Sequence, residues 1–173
     1  MSESENRLKI SNQIFSNEID LDEYIEWNAL SEIIWIDCRF EDLDLLGKIF
    51  GSCNFKNCKF NNLSLRKCQF SNCTFQNCQI VKSDLSRAEF NDSNFQNCEF
   101  LKSDLYASDL RRCELFQIKF KNSNLNLIIA RYVKVWKSKQ CIEIEKSSNF
   151  EKILKDMNLL TFTSTDQDED ENC

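Results

Sequence analysis

The side chains that could do chemistry in this chain are chiefly its cysteines, ten among 173 residues. The chain has no histidine, which removes histidine general bases, catalytic triads and histidine metal ligands. Neighbouring cysteines such as Cys53 and Cys58 are separated by at least four residues, so the two-residue spacing of zinc knuckles is absent. We predict that the cysteines within residues 35–125 are reduced, buried and space-filling, and that the chain holds neither a metal nor a cofactor.

Carboxylates form the second group of candidates. Asp84, Asp104 and Asp109 each stand directly before a large apolar residue. An aspartate in a tight turn accepts hydrogen bonds from the turn backbone, so we interpret these three as structural. The chain has two glycines, Gly47 and Gly51, which excludes glycine-rich phosphate loops. We therefore predict that the chain is not an enzyme and has no catalytic residues.

The elements that position these side chains follow from a repeat of five residues. Every fifth residue from 40 to 125 is large and apolar, at eighteen successive positions. We predict that these residues form the structural core. They are Phe40, Leu45, Phe50, Phe55, Phe60, Leu65, Phe70, Phe75, Ile80, Leu85, Phe90, Phe95, Phe100, Leu105, Leu110, Leu115, Phe120 and Leu125. The series extends backward through Trp35 and Leu30.

The residue two places before each large one is usually small. It is cysteine at 38, 53, 58, 68, 73, 78, 98 and 113, serine at 83, 93, 103, 108 and 123, and alanine at 88. Leu43, Lys48, Leu63 and Ile118 break this rule. The residues between are largely Asn, Gln, Asp, Glu, Lys and Arg, which favours a water-facing position for them.

Neither an α-helix nor a flat strand keeps every fifth residue on one side. Five residues of α-helix turn about 500°, which leaves a drift of about 140° at each step. On a strand, an odd spacing alternates between the two faces. The backbone must therefore turn a corner about every five residues, with the large and small side chains inside.

A second period of twenty residues gives the number of sides. The large residue is leucine at 45, 65, 85, 105 and 125, and cysteine recurs at 38, 58, 78 and 98. Twenty residues hold four units, which predicts four sides per coil and about five coils. The predicted fold class is an all-β solenoid, whose filled interior leaves no pocket for a small-molecule substrate.

The chain resembles the pentapeptide-repeat proteins, whose consensus is A-(D/N)-L-x-x. The segments SDLSRAEF, SDLYASDL and NSNLN match this consensus, and CNFKNCKF and CQFSNCTFQNCQI match its Cys/Phe variant. The resemblance covers about residues 35–125. It implies a right-handed quadrilateral β-helix, and the uninterrupted Cys/Phe-rich repeats fit the members that are abundant in cyanobacteria.

Short helical caps are expected at both ends, because a stacked coil exposes backbone edges and core side chains there. Before the repeats, Asp20 to Ala29 is predicted to be a short helix. The predicted division is 1–34 for an N-terminal segment with this helix, 35–125 for the β-helix, 126–160 for a C-terminal hairpin and capping helix, and 161–173 for an acidic disordered tail.

The C-terminal flank alternates apolar and polar residues over Tyr132–Trp136 and Cys141–Glu145, which predicts a hairpin with a four-residue loop. A helix is expected from about Ser148 to Leu160. Cys141 and Cys173 lie outside the repeats. Whether either forms a disulfide that braces this cap is open at this point, and a cytosolic setting disfavours it.

The distribution of charge bears on partners. The whole chain carries −6, yet residues 36–125 hold 13 basic and 11 acidic residues, so the acidity lies in the flanks. The resemblance implies one known activity, in which quinolone-resistance members mimic DNA and bind type II topoisomerases. That mechanism needs a strongly anionic rod, so a DNA mimic that binds DNA gyrase or topoisomerase is the alternative reading and not the preferred one.

The preferred function is a non-enzymatic protein-interaction scaffold with an unidentified protein partner. Binding of nucleic acid is disfavoured, because basic residues are interleaved with acids and the repeat phenylalanines are needed inside. Phe116 and Tyr106 are predicted to point outward, where either one marks a possible contact patch. We expect a monomer, or a dimer through terminal elements. The sequence shows no signal peptide or membrane span, which predicts a cytoplasmic protein.

Overall fold

The computed structural model describes residues 7–162 and shows a chain wound into a four-sided coil. Each five-residue unit contributes a short strand or a single β-bridge around its large residue, and then a corner. The corner residue has a left-handed backbone, as at Asn57 (φ 55°), Ala107 (φ 53°) and Gly47 (φ 67°). Asparagine and aspartate tolerate this region better than most residues with a Cβ, which explains why they recur at corners.

Face A is an eight-stranded sheet that contains Phe75. Its first seven strands are parallel, each stacked on the strand one coil earlier, and the eighth returns antiparallel. In this register Phe75 lies between Phe55 and Phe95. The strands of face A, in spatial order, are β1 (Lys9–Ser11), β4 (Ile34–Ile36), β7 (Asn54–Lys56), β10 (Thr74–Gln76), β12 (Asn94–Gln96), β14 (Glu114–Phe116), β16 (Val133–Lys137) and β17 (Gln140–Ile144).

Face B is a seven-stranded parallel sheet that follows face A along the chain in every coil. Phe60, Ile80 and Phe100 occupy successive strands in register. The strands of face B are β2 (Ile14–Phe15), β5 (Arg39–Glu41), β8 (Lys59–Asn61), β11 (Gln79–Val81), β13 (Glu99–Leu101), β15 (Lys119–Lys121) and β18 (Leu160–Thr161).

The other two sides are held by fewer hydrogen bonds. Face C begins with the parallel strands β3 (Ala29–Ser31), β6 (Ile49–Gly51) and β9 (Gln69–Ser71). It continues as single bridges through Glu89, Asp109 and Ile129, and face D consists of such bridges alone. The bridged residues of face D are Asp44, Ser64, Asp84, Asp104 and Asn124. The chain returns to face C every 20 residues from Ala29 to Ile129, which makes five full coils.

The interior is filled by one hydrophobic cluster that runs the length of the coil. All eighteen residues at the five-residue stride lie in it, each at most 4% exposed. Phenylalanine rings stack along a face, with centroids 4.9 Å apart for Phe55 and Phe75 and 4.7 Å apart for Phe75 and Phe95. Such ring pairs contribute about 0.5–1.5 kcal/mol each beyond their burial, so the column is a continuous source of stability.

The coil begins farther toward the N-terminus than residue 35. Strands β1 and β2 stack on β4 and β5, inside the segment 1–34 that was expected to precede the β-helix. The reason is that Ile10 and Phe15 keep the five-residue stride and are buried. Asp20 then interrupts the stride, and the chain leaves the coil before it rejoins at β3.

This excursion contains the first helix, α1 (Ile19–Asp22), which is shorter than the predicted helix from Asp20 to Ala29. The Asp20 carboxylate accepts hydrogen bonds from the backbone N–H groups of Ser16 and Asn17, at 3.0 and 3.2 Å. It therefore stabilises the turn that enters the helix. Leu21, Tyr24 and Ile25 of the predicted helix instead pack against the end of the core.

The C-terminal flank contains a hairpin with a shorter loop, and a shorter helix, than expected. Strands β16 and β17 pair antiparallel around a two-residue loop, where four loop residues were predicted. A 3-10 turn (Ser147–Asn149) leads into α2 (Phe150–Asp156), and β18 then pairs with β15. The Phe150 ring contacts Phe120 edge-on at 6.4 Å, so α2 covers the open end of the interior.

The predicted acidic tail begins at Thr161, which belongs to β18, and its remaining part from residue 163 lies outside the described residues. The longest helix in residues 7–162, α2, has seven residues, and none there has the length and apolar character needed to cross a membrane.

Candidate functional site

The repeat cysteines form columns inside the coil. Cys58, Cys78 and Cys98 succeed one another at the start of face B, each about 1% exposed. Their thiols donate to the backbone carbonyl of a large residue in the preceding coil, as Cys78 Sγ does to Phe55 O at 3.4 Å and Cys98 Sγ to Phe75 O at 3.3 Å. The thiols therefore fill space and bind backbone carbonyl groups of the preceding coil.

The protonation of these thiols follows from where they lie. Burial raises the pKa of Cys68 and of Cys113 to about 12. The pKa of Cys78 also lies above its usual value, because its thiol hydrogen bonds with Cys58 and Cys98 and is buried. A protonated, buried thiol is neither a nucleophile nor a metal ligand. Within residues 7–162 no group of three or more Cys, Asp or Glu side chains could hold a metal ion, and the nine cysteines there are free.

Serines perform the same structural task where they replace cysteine. Ser103 Oγ donates to Ile80 O at 3.2 Å and accepts from the backbone N–H of Ser83 at 3.3 Å. Ser123 repeats this arrangement one coil later with Phe100 O and the N–H of Ser103. Cysteine and serine are thus alternative solutions for one corner position, which argues for a structural role of both.

The three candidate carboxylates bind turn backbone, as their position indicated. Asp84, Asp104 and Asp109 each accept a hydrogen bond, all at 2.9 Å, from the backbone N–H two residues later. Asp109 is also paired with Arg111, with Nε and Oδ2 2.7 Å apart. These carboxylates hold the corners of faces C and D, and the structure does not bring the three together in one site.

The outer surface of face A is the most regular surface of the molecule. Its corner asparagines bind one another across the coils, with Asn77 Nδ2 3.1 Å from Asn57 Oδ1 and Asn97 Nδ2 3.2 Å from Asn77 Oδ1. Toward the C-terminal end, the neighbouring outward row passes from Gln96 to Phe116 and Trp136, which are in register on β12, β14 and β16. Both rings are partly exposed, so this end of face A offers an aromatic surface beside an ordered amide ladder.

We name Phe116, Trp136 and Cys141 the aromatic patch. Cys141 lies opposite Trp136 on the neighbouring strand β17 and is exposed. An ion pair borders the patch, with Lys134 Nζ 3.3 Å from Glu114 Oε1. Aromatic rings within a polar rim are the usual composition of a protein-binding surface.

Charges elsewhere on the rod are mixed in sign and paired across coils. Arg112 donates two hydrogen bonds, of 2.6 and 2.7 Å, to the carboxylate of Asp92 in the preceding coil. This hydrogen bonding holds the pKa of Asp92 below its usual range. Lys121 Nζ lies 2.5 Å from Glu99 Oε1 on face B. This surface does not resemble the anionic rod that DNA mimicry requires.

The ends of the coil contain grooves that the sequence analysis missed. A groove of about 620 Å³ separates the last coil from α2, and one of about 500 Å³ lies at the N-terminal end beside Trp27. Trp27 is 97% exposed, whereas Tyr106, which was predicted to point outward, is 37% exposed. The expectation of no pocket is wrong for these ends, because the sequence analysis considered only the interior of the repeats. Trp27 occupies a corner position, two residues after Ile25 in the stride, and this spacing would have marked it as outward.

We compared the sequence and the fold with known proteins. A family model described as a pentapeptide repeat region matches residues 48–126. No curated protein matches the sequence of the chain. Solved structures that are similar to it include QnrB1, a plasmid-mediated fluoroquinolone resistance protein, at 14% identity and a TM-score of 0.41 over 72% of this chain and 71% of that one.

Two cyanobacterial structures are also similar. Rfr23 from Cyanothece 51142 has 11% identity and a TM-score of 0.32, over 76% of this chain and 82% of that chain. HetL from Nostoc sp. strain PCC 7120, a protein involved in heterocyst differentiation regulation, has 13% identity and a TM-score of 0.24, over 72% and 86%. Residues 48–126, which form the middle coils of this four-sided β-solenoid, therefore match a pentapeptide repeat region.

Proposed function

We propose that the protein is a non-enzymatic scaffold that binds a partner protein through the outer surface of face A. The observation that carries this proposal is the aromatic patch. Phe116 and Trp136 are the outward aromatic residues of adjacent strands. They are not needed for the interior, which Leu115 and Val135 of the same two strands already fill. Aromatic anchors on a rigid surface lose little entropy on binding, which makes them frequent hot spots.

The architecture supports binding in preference to catalysis. The thiols of the repeats are buried, burial raises the pKa of Cys68 and Cys113 to about 12, and the candidate carboxylates bind backbone. Each inner strand of the sheet is hydrogen bonded to the coils before and after it, and its inner side packs against the core. Such a sheet is rigid, which suits a docking surface. DNA mimicry stays the alternative, and the mixed charge of the rod disfavours it.

The test compares two matched double variants in capture from native lysate, with quantitative mass spectrometry. Phe116→Ser with Trp136→Ser removes the aromatic patch. Val81→Ser with Leu101→Ser is the control, since these residues occupy the equivalent outward positions on face B and are opposite each other in register. We expect proteins captured by the wild type and the control to be lost with the patch variant. Equal capture by all three proteins would contradict the proposal.

A supercoiling assay with DNA gyrase addresses the alternative. The scaffold proposal expects no effect of the purified protein on supercoiling or on its inhibition by a fluoroquinolone. Inhibition or protection at micromolar protein would favour DNA mimicry instead.

A further inference from the structure

Each of the two large sheets ends in a strand whose outer edge is not paired with another described strand. At the C-terminal end these strands are β17 on face A and β18 on face B. At the N-terminal end, β1 and β2 are the outermost strands, and no strand in residues 7–162 pairs with their outer edges. An unpaired edge presents backbone N–H and C=O groups in the geometry that another strand requires.

The hydrogen bonds of β1 identify which groups are open. Leu8 O accepts from the N–H of Ile34 at 2.8 Å, and the N–H of Asn12 donates to Ile36 O at 3.0 Å. Because backbone groups alternate sides along a strand, Lys9 and Ser11 direct their N–H and C=O groups away from β4. These groups are available to an added strand.

A groove of about 500 Å³ adjoins this edge, and Leu8 and Ile33 are among its lining residues. Trp27 stands over it at the tip of a tight turn, with φ 50°. Reciprocal backbone hydrogen bonds of 2.9 and 2.8 Å between Glu26 and Ala29 close the turn. Asn28 anchors it to the next coil, through Gly47 O at 3.0 Å.

The conformation of Trp27 is costly, since a bulky residue rarely adopts a left-handed backbone. The turn holds this large ring almost fully in water, at 97% exposure. An aromatic ring that is fixed before binding loses little conformational freedom when a ligand covers it. Because the other corner residues share this backbone, it is the fixed and exposed ring that marks Trp27 as a contact residue.

The charge of the groove is negative. Its lining includes Glu23, Glu26 and Glu32, while Arg7 binds the backbone carbonyl groups of Glu32 and Ser52. Residues 7–35 contain six acidic and two basic residues. Carboxylates beside an aromatic ring bind lysine and arginine side chains, through ion pairs and cation–π contact.

We propose that the N-terminal end binds an extended, basic segment of a partner protein. The segment pairs with the open edge of β1, and one of its lysine or arginine side chains enters the groove against Trp27 and beside Glu26. A second copy of this chain that docks through the same end is a poorer occupant, because two acidic ends repel. Residues 1–6, with two glutamates and no lysine or arginine, lack the complementary charge.

This inference goes beyond the proposed function, since it concerns an end of the coil and not the outer surface of face A. The probe is a fluorescein-labelled peptide of sequence KTKVRTKVK, with ETEVETEVE as its charge-reversed control. Fluorescence anisotropy measures binding of each peptide to the full chain at low and at physiological salt. We expect micromolar binding of the basic peptide, weaker binding at higher salt, and no binding of the acidic one.

Variants locate the site. Trp27→Ala and Lys9→Pro are each expected to weaken binding by about tenfold, since the first removes the ring and the second removes an outward N–H that β4 does not use. Tyr132→Ala is the matched control for Trp27→Ala, because Tyr132 is also an exposed aromatic corner residue, 61% exposed with φ 58°. It is expected to bind the peptide like the wild type.

Thermal unfolding of each variant confirms that it is folded. The proposal is overturned if the two peptides bind equally, if the basic peptide fails to bind at about 100 µM, or if Trp27→Ala and Lys9→Pro bind it unchanged. Concentration-dependent dimerisation in sedimentation that Trp27→Ala abolishes, without peptide binding, would assign the end to a second copy and would also overturn it. Capture through the aromatic patch survives each of these failures, so the two proposals fail separately.

Discussion

At the scale of single residues, the small inward position shows how one physical requirement selects several residue types. Cys78 and Ser103 both donate to a carbonyl of the preceding coil, at 3.4 and 3.2 Å. Their shared size was visible in the sequence, and so was the burial of the thiols. The acceptor role of serine toward a backbone N–H was not visible, because it depends on contact between coils.

The stacked rings lead to a prediction about stability. Phe75 lies between Phe55 and Phe95 on face A, with centroid distances of 4.9 and 4.7 Å. Phe75→Ala removes the ring from both contacts and should lower the free energy of unfolding by about 3–5 kcal/mol. Phe75→Leu, which keeps much of the volume, should cost less than about 1.5 kcal/mol. Urea unfolding measures both, and equal stability of the alanine variant and the wild type would place residue 75 outside the core.

The buried thiols lead to a prediction about pH. Burial raises the pKa of Cys68 and Cys113 to about 12, from an ordinary value of 9.0. The folded protein therefore keeps protons that the unfolded chain loses, so this stability is present below about pH 9 and is lost as the pH rises toward 12.

Unfolding free energies from pH 8 upward should fall for the wild type, and less steeply for Cys68→Ala with Cys113→Ala. The double variant is the control for lysine and tyrosine titration, which both proteins share. Parallel pH profiles would show that these thiols do not contribute.

At the scale of elements, the corners carry backbone strain that the repeat tolerates. Ala107 has φ 53° although its Cβ disfavours that region. Ala107→Gly should raise the free energy of unfolding by about 0.5 kcal/mol, because relief of the strain outweighs the added flexibility of the unfolded chain. Ala107→Val should lower it by about 1–2 kcal/mol, since a β-branched residue fits this region worse. Thermal and urea unfolding distinguish the two, and a valine variant as stable as the glycine variant would contradict the corner assignment.

The regular coils could be predicted from the sequence because the stride fixes which side chains turn inward. The ends could not be predicted in the same way. Ile10 and Phe15 keep the stride, but Asp20 breaks it, and a single sequence does not show that the chain rejoins the coil at β3. The pairing of β18 with β15 likewise depends on α2 crossing the end of the core, which no short-range pattern encodes.

The candidate surfaces were harder to predict than the core. The five-residue stride predicts that Phe116 points outward. That Phe116 lies opposite Trp136 is visible only from the pairing of their strands. Trp27 was missed because its turn lies within the excursion between β2 and β3. Its near-complete exposure follows from the left-handed backbone at 27 and 28.

At the scale of the whole molecule, the solenoid should respond to deletions according to the stride. Removal of residues 69–88 joins Cys68 to Glu89 and preserves both the five-residue and the twenty-residue periods. This loss of a full coil should keep cooperative unfolding and cost about 1–3 kcal/mol. Removal of residues 69–70 alone deletes less but breaks the stride, and it should cost more, because each later unit must shift to restore its inward residues. If the shorter deletion were the milder one in urea unfolding, the coil would not be organised by the stride.

The account depends most on the claim that a five-residue stride fills one continuous interior and leaves the outer surface and the two ends of the coil for binding. A crystal structure of the full chain tests this most directly. We expect the rings of Phe55, Phe75 and Phe95 to stack with centroid spacings close to 4.9 and 4.7 Å. Rings found on separate elements, or a ligand-sized cavity between the faces, would contradict the account.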